Sequence, residues 1–354
     1  MNFGSPFAVI LVNYKGYARQ HLAECYQSLM RQDLPLPDGA LFIVDNASTE
    51  ESRRELTLLA PRARILPDRD NLGWAGGNNV ALRSALAEGA RYLITLNMDT
   101  RPERDWLRHL VEAADRNPAL HILQSKLLLY GTDRINSLGG RIQYLGYGYC
   151  NGYDEIHPTP QAAVIDFASG AAMLVKREVF ERIGLLRDEY FMYCEDMEFC
   201  WRARLAGFNV GLADQAVCHH KHDPVKTLHS LRYVERNRWL SLLTLEKGTT
   251  LLALAPCLLV SEIFLFLFVL GRGRADIPVK LFLYFLRPGT WRWIAACRRQ
   301  VGQIRRRSDR AIVGQFAGAL FVSKAHPFLR ALMNGLFNPL LTLYWTLAKR
   351  LILW

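Results

Sequence analysis

Buried-strand runs and helix-period stretches alternate through the first hundred residues. Phe7–Val12 (FAVILV) is continuously apolar and rich in β-branched residues, the pattern of a strand covered on both faces. Helical periodicity follows over Tyr17–Arg31, and Ala40–Val44 (ALFIV) is a second buried strand ending in Asp45-Asn46-Ala47-Ser48. Those polar residues suit a turn and a helix N-cap. A helix over Glu50–Ala60 and a short strand at Ala63–Pro67 come next. The loop Asp70–Gly77 then leads into a helix over Asn78–Glu88, and Tyr92–Leu96 (YLITL) is a strand that stops at Asn97-Met98-Asp99. The spacing is that of βαβ units, which predicts a mostly parallel sheet with helices on both faces. Ligands of such sheets bind beyond the carboxyl ends of the strands. Asp45 and Asp99 both stand there.

After about Arg101 the pattern loosens. A helix is predicted over Glu103–Arg116, a strand over Leu120–Leu129, strands at Val164–Phe167 and Ala171–Val175 around Ser169-Gly170, and helices over Arg177–Ile183 and from Glu195. Near Gly248 the chain changes character. Leu251–Leu270 is almost wholly apolar and long enough to cross a bilayer. Pro256 and the mid-segment Glu262 interrupt it, which favours an in-plane or re-entrant anchor over a simple span. The division expected is a catalytic body over residues 1–245 and a basic, apolar helical extension over residues 246–354.

Charge sharpens this division. Residues 271–354 hold 15 Lys or Arg against Asp276 and Asp309, a local balance of +13 beside a whole-chain formal charge of +11, which leaves residues 1–270 near −2. A basic tail on a near-neutral body suits a polyanion, either anionic lipid or nucleic acid. The Arg-rich stretch 298–310 could grip a nucleic-acid strand. The apolar runs Val279–Leu286, Ala311–Val322 and Leu332–Leu347 beside the arginines favour a lipid surface, and no nucleic-acid partner is expected. Half the residues are apolar, which excludes global disorder. Seven cysteines in no paired spacing, with no basic leader, predict reduced thiols and a catalytic body in the cytosol.

Four segments carry candidate chemistry. Leu93–Asp99 (LITLNMD) delivers an Asn-x-Asp tip; a hard divalent cation held by Asp99 would stabilise a departing diphosphate as a Lewis acid, with Asn97 near a ribose or a metal-bound water. Asn71–Asn78 (NLGWAGGN) is glycine-rich and opens a helix, so its amides could approach phosphates. It has neither the Walker lysine nor the Gly-x-Gly-x-x-Gly spacing. Phe191–Glu198 (FMYCEDME) sets three acids among aromatics. Glu195 and Glu198 share a helical face while Asp196 points elsewhere. A carboxylate raised by apolar neighbours can take a proton from an attacking hydroxyl. Cys218–His222 (CHHKH) matches no standard zinc spacing; one histidine is expected to supplement Asp99, with His220 and His222 on the acceptor side or the surface.

In order, VNYKG, VDNAS, NLGWAGGNN, LNMD, FASGAAMLVKREVFERIG, DEYFMYCEDMEFCWRARLAG and VCHHKH resemble glycosyltransferase family 2, in its bacterial rhamnosyltransferase-like branch. The resemblance covers roughly residues 7–245 and implies the GT-A fold. It also implies an inverting transfer from a nucleotide-sugar donor, dTDP-L-rhamnose, to a glycan or polyprenyl-diphosphate-linked acceptor. By the family's pattern Asn13 and Asp45 meet the nucleobase and ribose, and Asn71, Gly73, Gly76 and Asn78 lie beside the nucleotide. Asp99 is the last acid of the metal motif, binding Mg²⁺ or Mn²⁺, and His219 completes the coordination. Asp196 is the general base and Glu195 its support. Asn97 departs from the family by replacing the motif's first Asp. Tyr233–Trp239 (YVERNRW) resembles a basic helix that contacts a diphosphate or lipid phosphate through Arg236 or Arg238. The expected location is the cytoplasmic face of the bacterial inner membrane, peripheral or monotopic.

Overall fold

The computed structural model describes residues 6–156, 165–221, 230–321 and 327–354. They divide into two compact units. The first spans Met1–Gly140, Cys150–Ala203 and Phe208–His222; the second gathers Arg141–Tyr149, Arg204–Gly207 and the chain beyond. The helix at Leu231–Leu245, grouped in the sequence with the catalytic body, therefore belongs with the extension.

In the first unit, β1 (Phe7–Tyr14), α1 (Tyr17–Met30), β2 (Leu41–Asn46), α2 (Glu50–Leu59), β3 (Arg64–Asp68), α3 (Gly73–Ala87) and β4 (Tyr92–Leu96) follow the predicted alternation. Next come β5 (Thr100–Pro102), α4 (Trp106–Arg116), β6 (Ile122–Leu129) and β7 (Ile135–Ser137). β8 (Gly140–Ile142) and β9 (Gly148–Cys150) stand outside the main sheet; β10 (Ala172–Lys176), α5 (Arg177–Ile183), α6 (Glu195–Leu205) and β11 (Val210–His220) complete the series. The sheet order is β3-β2-β1-β4-β10-β6-β11-β5, with β7 beside β6. β3, β2, β1 and β4 run parallel, and β10 is antiparallel to both its neighbours.

Alternation along the central strands explains why both faces are apolar. Val9 and Leu11 of β1 pack with Leu22 and Leu29 of α1 and with Trp106 and Leu110 of α4. Val12 faces the other side, against α3 at Gly77. Trp106 is fully enclosed, its indole N–H donating to Ser125 Oγ at 2.8 Å, so a large apolar ring is buried with no polar debt.

Two helices start elsewhere than the sequence pattern predicts. α3 begins at Gly73 rather than Asn78, because Asn71 Oδ1 accepts the Gly73 N–H and Asn46 Oδ1 accepts the Leu72 N–H. Side chains remote from the helix's apolar stripe start it. α4 starts at Trp106 rather than Glu103, because the Glu103 N–H donates to the Val217 carbonyl and its own carbonyl closes a turn onto the Trp106 N–H. Val164 and His222 lie outside the described residues.

The second unit is helical: α7 (Leu231–Leu245), α8 (Gly248–Gly271), α9 (Asp276–Phe285) and α10 (Pro288–Ile304), then short helices and Asn338–Leu351. Pro256 does not break α8, which runs unbroken for 24 residues. Nor does Glu262 stand alone, since it is paired with Arg238. α8 is long and apolar enough to cross a membrane, and Leu259, Phe264 and Leu267 are about half exposed or more. The Arg-rich segment is largely spent inside the unit. Arg298 donates to the carbonyls of Leu243 and Glu246, Arg305 to that of Leu245, and Arg307 to that of Gly207. These cations satisfy the orphan carbonyls at a helix end instead of forming an open basic strip.

α6 is anchored by a buried charge network. Glu198, wholly enclosed, takes Arg202 at 2.8 and 3.1 Å and Arg187 at 3.2 Å. Arg202 also donates to the Leu185 carbonyl at 2.9 Å. Glu198→Gln leaves two buried guanidinium charges uncompensated and is expected to destabilise the protein by about 3–5 kcal/mol, read as a fall in the denaturant midpoint.

Candidate active site

The carboxyl ends of β1, β2 and β4 bring a set of polar side chains to one edge of the sheet. Asn13 and Asp45 are in register on neighbouring strands and almost fully buried. Asn13 Nδ2 donates to Asp45 Oδ1 at 2.9 Å, Ser52 Oγ donates to Asp45 Oδ2 at 2.6 Å, and Asn13 Oδ1 accepts the Ala18 N–H. Burying a carboxylate without partners is costly, and here both oxygens are engaged. Ser52, which the sequence reading passed over, is also the third residue of the Thr49 capping box of α2. Asp45 thereby ties β1 to the start of α2.

Asn46 was likewise missed. Its amide donates to Asn71 Oδ1 and to the Gly73 carbonyl, both at 3.1 Å, and so fixes the glycine-rich segment. Gly73 has φ +68°, and a Cβ there would fall 2.2 Å from the Phe191 carbonyl oxygen. The same carbonyl accepts the Ala75 N–H at 3.1 Å. Protein backbone, not only open space for an anion, thus dictates this glycine. Gly76 and Asn78 lie on the buried side of α3, and Asn78 donates to the Trp74 carbonyl.

Trp74 links two segments the sequence treats separately. Its indole N–H donates to Asn97 Oδ1 at 3.0 Å. Its ring lies against Gly170, where an added Cβ would come within 2.3 Å of it. The Gly170 N–H donates to Asp196 Oδ2 at 2.9 Å, and the Met197 N–H to Asp196 Oδ1 at 2.8 Å. Asn97, Trp74, Gly170 and Asp196 therefore form one continuous contact chain. Thr95 Oγ1 donates to the Gly170 carbonyl and Gln124 Oε1 accepts the Ser169 N–H, which pins the 169–170 turn from beneath.

Just before α6, Phe191, Tyr193 and Cys194 all have positive φ (61°, 67° and 62°). Left-handed backbone at non-glycine residues costs about 1–3 kcal/mol each and persists where surrounding contacts enforce it. Burial pushes the Asp196 carboxyl above the usual aspartate range, against the backbone amides that favour its ionised form. Glu195 is raised well above the usual range by burial and then by repulsion from Asp196, and its Oε2 has no hydrogen-bond partner. Backbone amides favour the ionised form of Asp196, whereas Glu195 is pushed toward its protonated form.

Asp99 is buried beside α1 and the end of β11. Burial pushes its carboxyl up, but His220, Tyr17 and His21 outweigh that and hold it below the usual range. Its Oδ1 lies 3.4 Å from His220 Nε2. His220 Nδ1 is 2.9 Å from Asn136 Oδ1, a contact that fixes the orientation of the ring. A carboxylate oxygen and an imidazole nitrogen converging in this way, with the far ring nitrogen held by Asn136, suit a divalent cation. His219 takes the opposite face of β11, with Nε2 at 3.1 Å from Glu103 Oε1. Among the described residues no three His, Cys, Asp or Glu side chains gather as a metal site. The remaining coordination positions would fall to a ligand's own oxygens. Arg236 and Arg238 lie in the second unit. Arg238 is fully buried between Glu235, Glu262 and the Leu145 carbonyl, while Arg236 stacks on Tyr233 and Tyr284.

Comparison with known proteins bears on this arrangement. The family model described as Glycosyl transferase family 2 matches residues 8–184, half of the chain. The low-salt glycan biosynthesis hexosyltransferase Agl10 of Haloferax volcanii is 27% identical over 209 residues, covering 58% of this chain and 63% of that protein. The N-acetylglucosaminyl-diphospho-decaprenol L-rhamnosyltransferase of Mycobacterium tuberculosis is 27% identical over 204 residues, covering 51% and 66%. The chain thus spans just under two thirds of the length of either relative. Among solved structures, GalNAc-T7 with UDP, GalNAc and Mn²⁺ superposes with a TM-score of 0.51 at 11% identity, covering 68% of this chain and 48% of that one. That likeness is one of fold.

The Glu195 shift has a sign that stability measurements can read. A carboxyl raised in the folded state holds its proton there after the unfolded chain has released it, so stability falls as pH rises above the unfolded value of about 4.3. Glu195→Gln removes that dependence. Denaturant melts are expected to show the variant gaining on the parent as pH rises above about 4.3; a difference that stays constant with pH would contradict a raised Glu195 carboxyl.

Proposed function

The chain belongs to glycosyl transferase family 2 and has a GT-A-like fold, and from that premise we propose that it transfers a sugar, with inversion, from a nucleotide-diphosphate donor to a lipid-linked glycan at a membrane surface. The observation that carries this reading is the contact chain from Asn97 through Trp74 and Gly170 to Asp196. It joins the strand end that leads to Asp99 with the carboxylate best suited to accept a proton.

In the proposed step the acceptor hydroxyl oxygen attacks the anomeric carbon and its proton passes to Asp196. The bond from that carbon to the donor phosphate oxygen breaks, and the electron pair leaves with the nucleoside diphosphate. Two backbone amides aim the Asp196 carboxylate, and burial and repulsion from Asp196 push the neighbouring Glu195 toward its protonated form. A divalent cation, when bound, would neutralise the departing diphosphate. Asp99 and His220 are the proposed protein ligands, with Asn136 fixing the His220 ring. We assign the histidine role to His220 rather than His219, whose ring is turned to Glu103. Asn97 spends its carbonyl oxygen on Trp74 and acts in positioning. Asn13 and Asp45 bound the nucleoside end.

The finer reading is L-rhamnose from dTDP-rhamnose, a polyprenyl-diphosphate-linked acceptor, a role in cell-envelope polysaccharide synthesis, and a place on the cytoplasmic face of the inner membrane. It is supported by the activity in the printed name of the mycobacterial relative and by the exposed apolar helix α8. A donor screen with Mg²⁺ or Mn²⁺, scored by released nucleoside diphosphate, tests it. Release from no nucleotide sugar in the presence of lipid-linked acceptor would refute the reading.

Asp196→Asn is expected to lower turnover by about 10²–10⁴-fold with the melt unchanged in shape. In the parent, turnover should fall on acidification from a pH above the ordinary aspartate range, because the base must be ionised and burial raises its pKa. For the metal pair, His220→Ala or Asn136→Ala is expected to raise the Mn²⁺ concentration for half-maximal binding by about 10–100-fold, while His219→Ala leaves it within about twofold. The reverse order would return the ligand role to His219.

A further inference from the structure

α1 sends one stripe of side chains, Leu22, Cys25 and Leu29 among them, into the core. A second, partly buried stripe carries Tyr17, His21 and Glu24 at positions i, i+4 and i+7. The rings of Tyr17 and His21 meet at 4.6 Å, and both residues help to keep Asp99 ionised. Glu24, one turn further on, engages the residues that flank Asp99 and His220. Its Oε2 accepts from the Lys221 ammonium at 2.6 Å, its Oε1 accepts from the Tyr130 hydroxyl at 2.6 Å, and Arg101 Nε stands at 3.9 Å. The Lys221 ammonium also lies 4.7 Å from the centre of the Tyr130 ring.

All three partners are joined through the backbone to the Asp99–His220 pair. Lys221 directly follows His220, and its N–H donates to the Asp99 carbonyl at 2.9 Å. Tyr130 directly follows β6, and its N–H donates to the His220 carbonyl at 3.1 Å. Arg101 lies in β5 just past Asp99, in register with His219. One carboxylate on a helix thus draws together three strand ends that carry or brace the pair. The Glu24 and Lys221 side chains remain 36% and 26% exposed, and ion pairs screened by solvent add little to global stability. Position is another matter. Charge-assisted hydrogen bonds are short and directional, and outer partners that orient metal ligands govern metal affinity far more than they govern the fold.

We propose that Glu24 is a positioning residue for the Asp99–His220 pair, clamping the residues after β6 and β11 to α1 so that carboxylate and imidazole converge before a cation arrives. Its consequence for a cation rests on the role proposed above for that pair, whereas its hold on the His220 ring does not.

Two readouts on the full-length protein test the clamp. Mn²⁺ alone is titrated and the free ion followed by electron paramagnetic resonance. The His220 ring signals are followed by NMR without metal, assigned by their loss in His220→Ala. Glu24→Ala is expected to raise the half-saturating Mn²⁺ concentration about tenfold and to shift the His220 signals. Glu24→Gln, which keeps an acceptor for Tyr130, should lose less. Lys221→Met should reproduce most of the Glu24→Ala loss, and the two together should add no more than about twofold, because both break one contact. Glu55→Ala breaks another exposed ion pair of α1, with Arg19, and should leave Mn²⁺ affinity within about twofold and the His220 signals in place. Melts matching the parent qualify each variant as folded; where Glu24→Ala fails that standard, Glu24→Gln and Lys221→Met decide the question. Equal losses in Glu24→Ala and Glu55→Ala would reduce the cluster to general surface charge and overturn the proposal. So would His220 signals that stay in place in Glu24→Ala, or, in a parent that binds Mn²⁺, an affinity that Glu24→Ala leaves unchanged. A parent that binds no Mn²⁺, with His220 signals that move in Glu24→Ala and not in Glu55→Ala, would uphold the clamp and sink the cation role of the pair alone.

Discussion

The Gly170 amide reaches Asp196 only because nothing but hydrogen stands on the Gly170 Cα, which lets the Trp74 ring lie against it. On that close approach the rest of the site depends. Trp74 comes from the start of α3 and reports on Asn97 at the end of β4. Gly170 leads into β10, and Asp196 opens α6. Four segments far apart in sequence are joined in one chain of contacts by one glycine and one indole. The strained backbone at Phe191–Cys194 completes the arrangement, since the Phe191 carbonyl also accepts from α3 at Ala75.

The electrostatics follow from this packing. Placing two adjacent carboxyls in an enclosed pocket cannot leave both ionised. The amides of Gly170 and Met197 favour the ionised form of Asp196 over that of Glu195. Glu198, the third acid of the cluster, escapes the conflict because Arg202 and Arg187 neutralise it, and it serves as the anchor of α6. At Asp99 the balance is reversed: burial is outweighed by two histidines and a tyrosine, and the carboxylate stays ionised. One acid poised to take a proton and another held charged are the two environments that the proposed transfer requires.

The second unit follows a different rule. Its charged residues are divided between those consumed internally and those left around a cavity. Arg238, Arg298, Arg305 and Arg307 satisfy buried acids and helix-end carbonyls. Arg232 and Arg236 instead lie against the rings of Tyr233 and Tyr284 and line a cavity with Arg287. Linear charge counts cannot separate these groups, because a guanidinium that caps a carbonyl and one that packs on an aromatic face look alike in sequence.

Much of the first unit was legible from period and punctuation. The βαβ order, the strands at Phe7, Leu41 and Tyr92 and the placement of Asp99 beyond a strand end follow from apolar runs that a parallel sheet must bury on both faces, whereas Asp45, expected past its strand, lies inside β2 in register with Asn13. The ordered motifs also marked the family, because local sequence sets which backbone turns and which polar tips are available. Tertiary packing alone decided the partners. It started α3 five residues early through Asn46 and Asn71, and it recruited Ser52 to Asp45. It also turned His219 toward Glu103 and His220 toward Asp99. Adjacent residues on a strand point to opposite faces, so a His-His pair cannot disclose which member meets a carboxylate. That choice belongs to the register between β11 and β5, a contact more than a hundred residues apart in the chain and invisible to any local pattern.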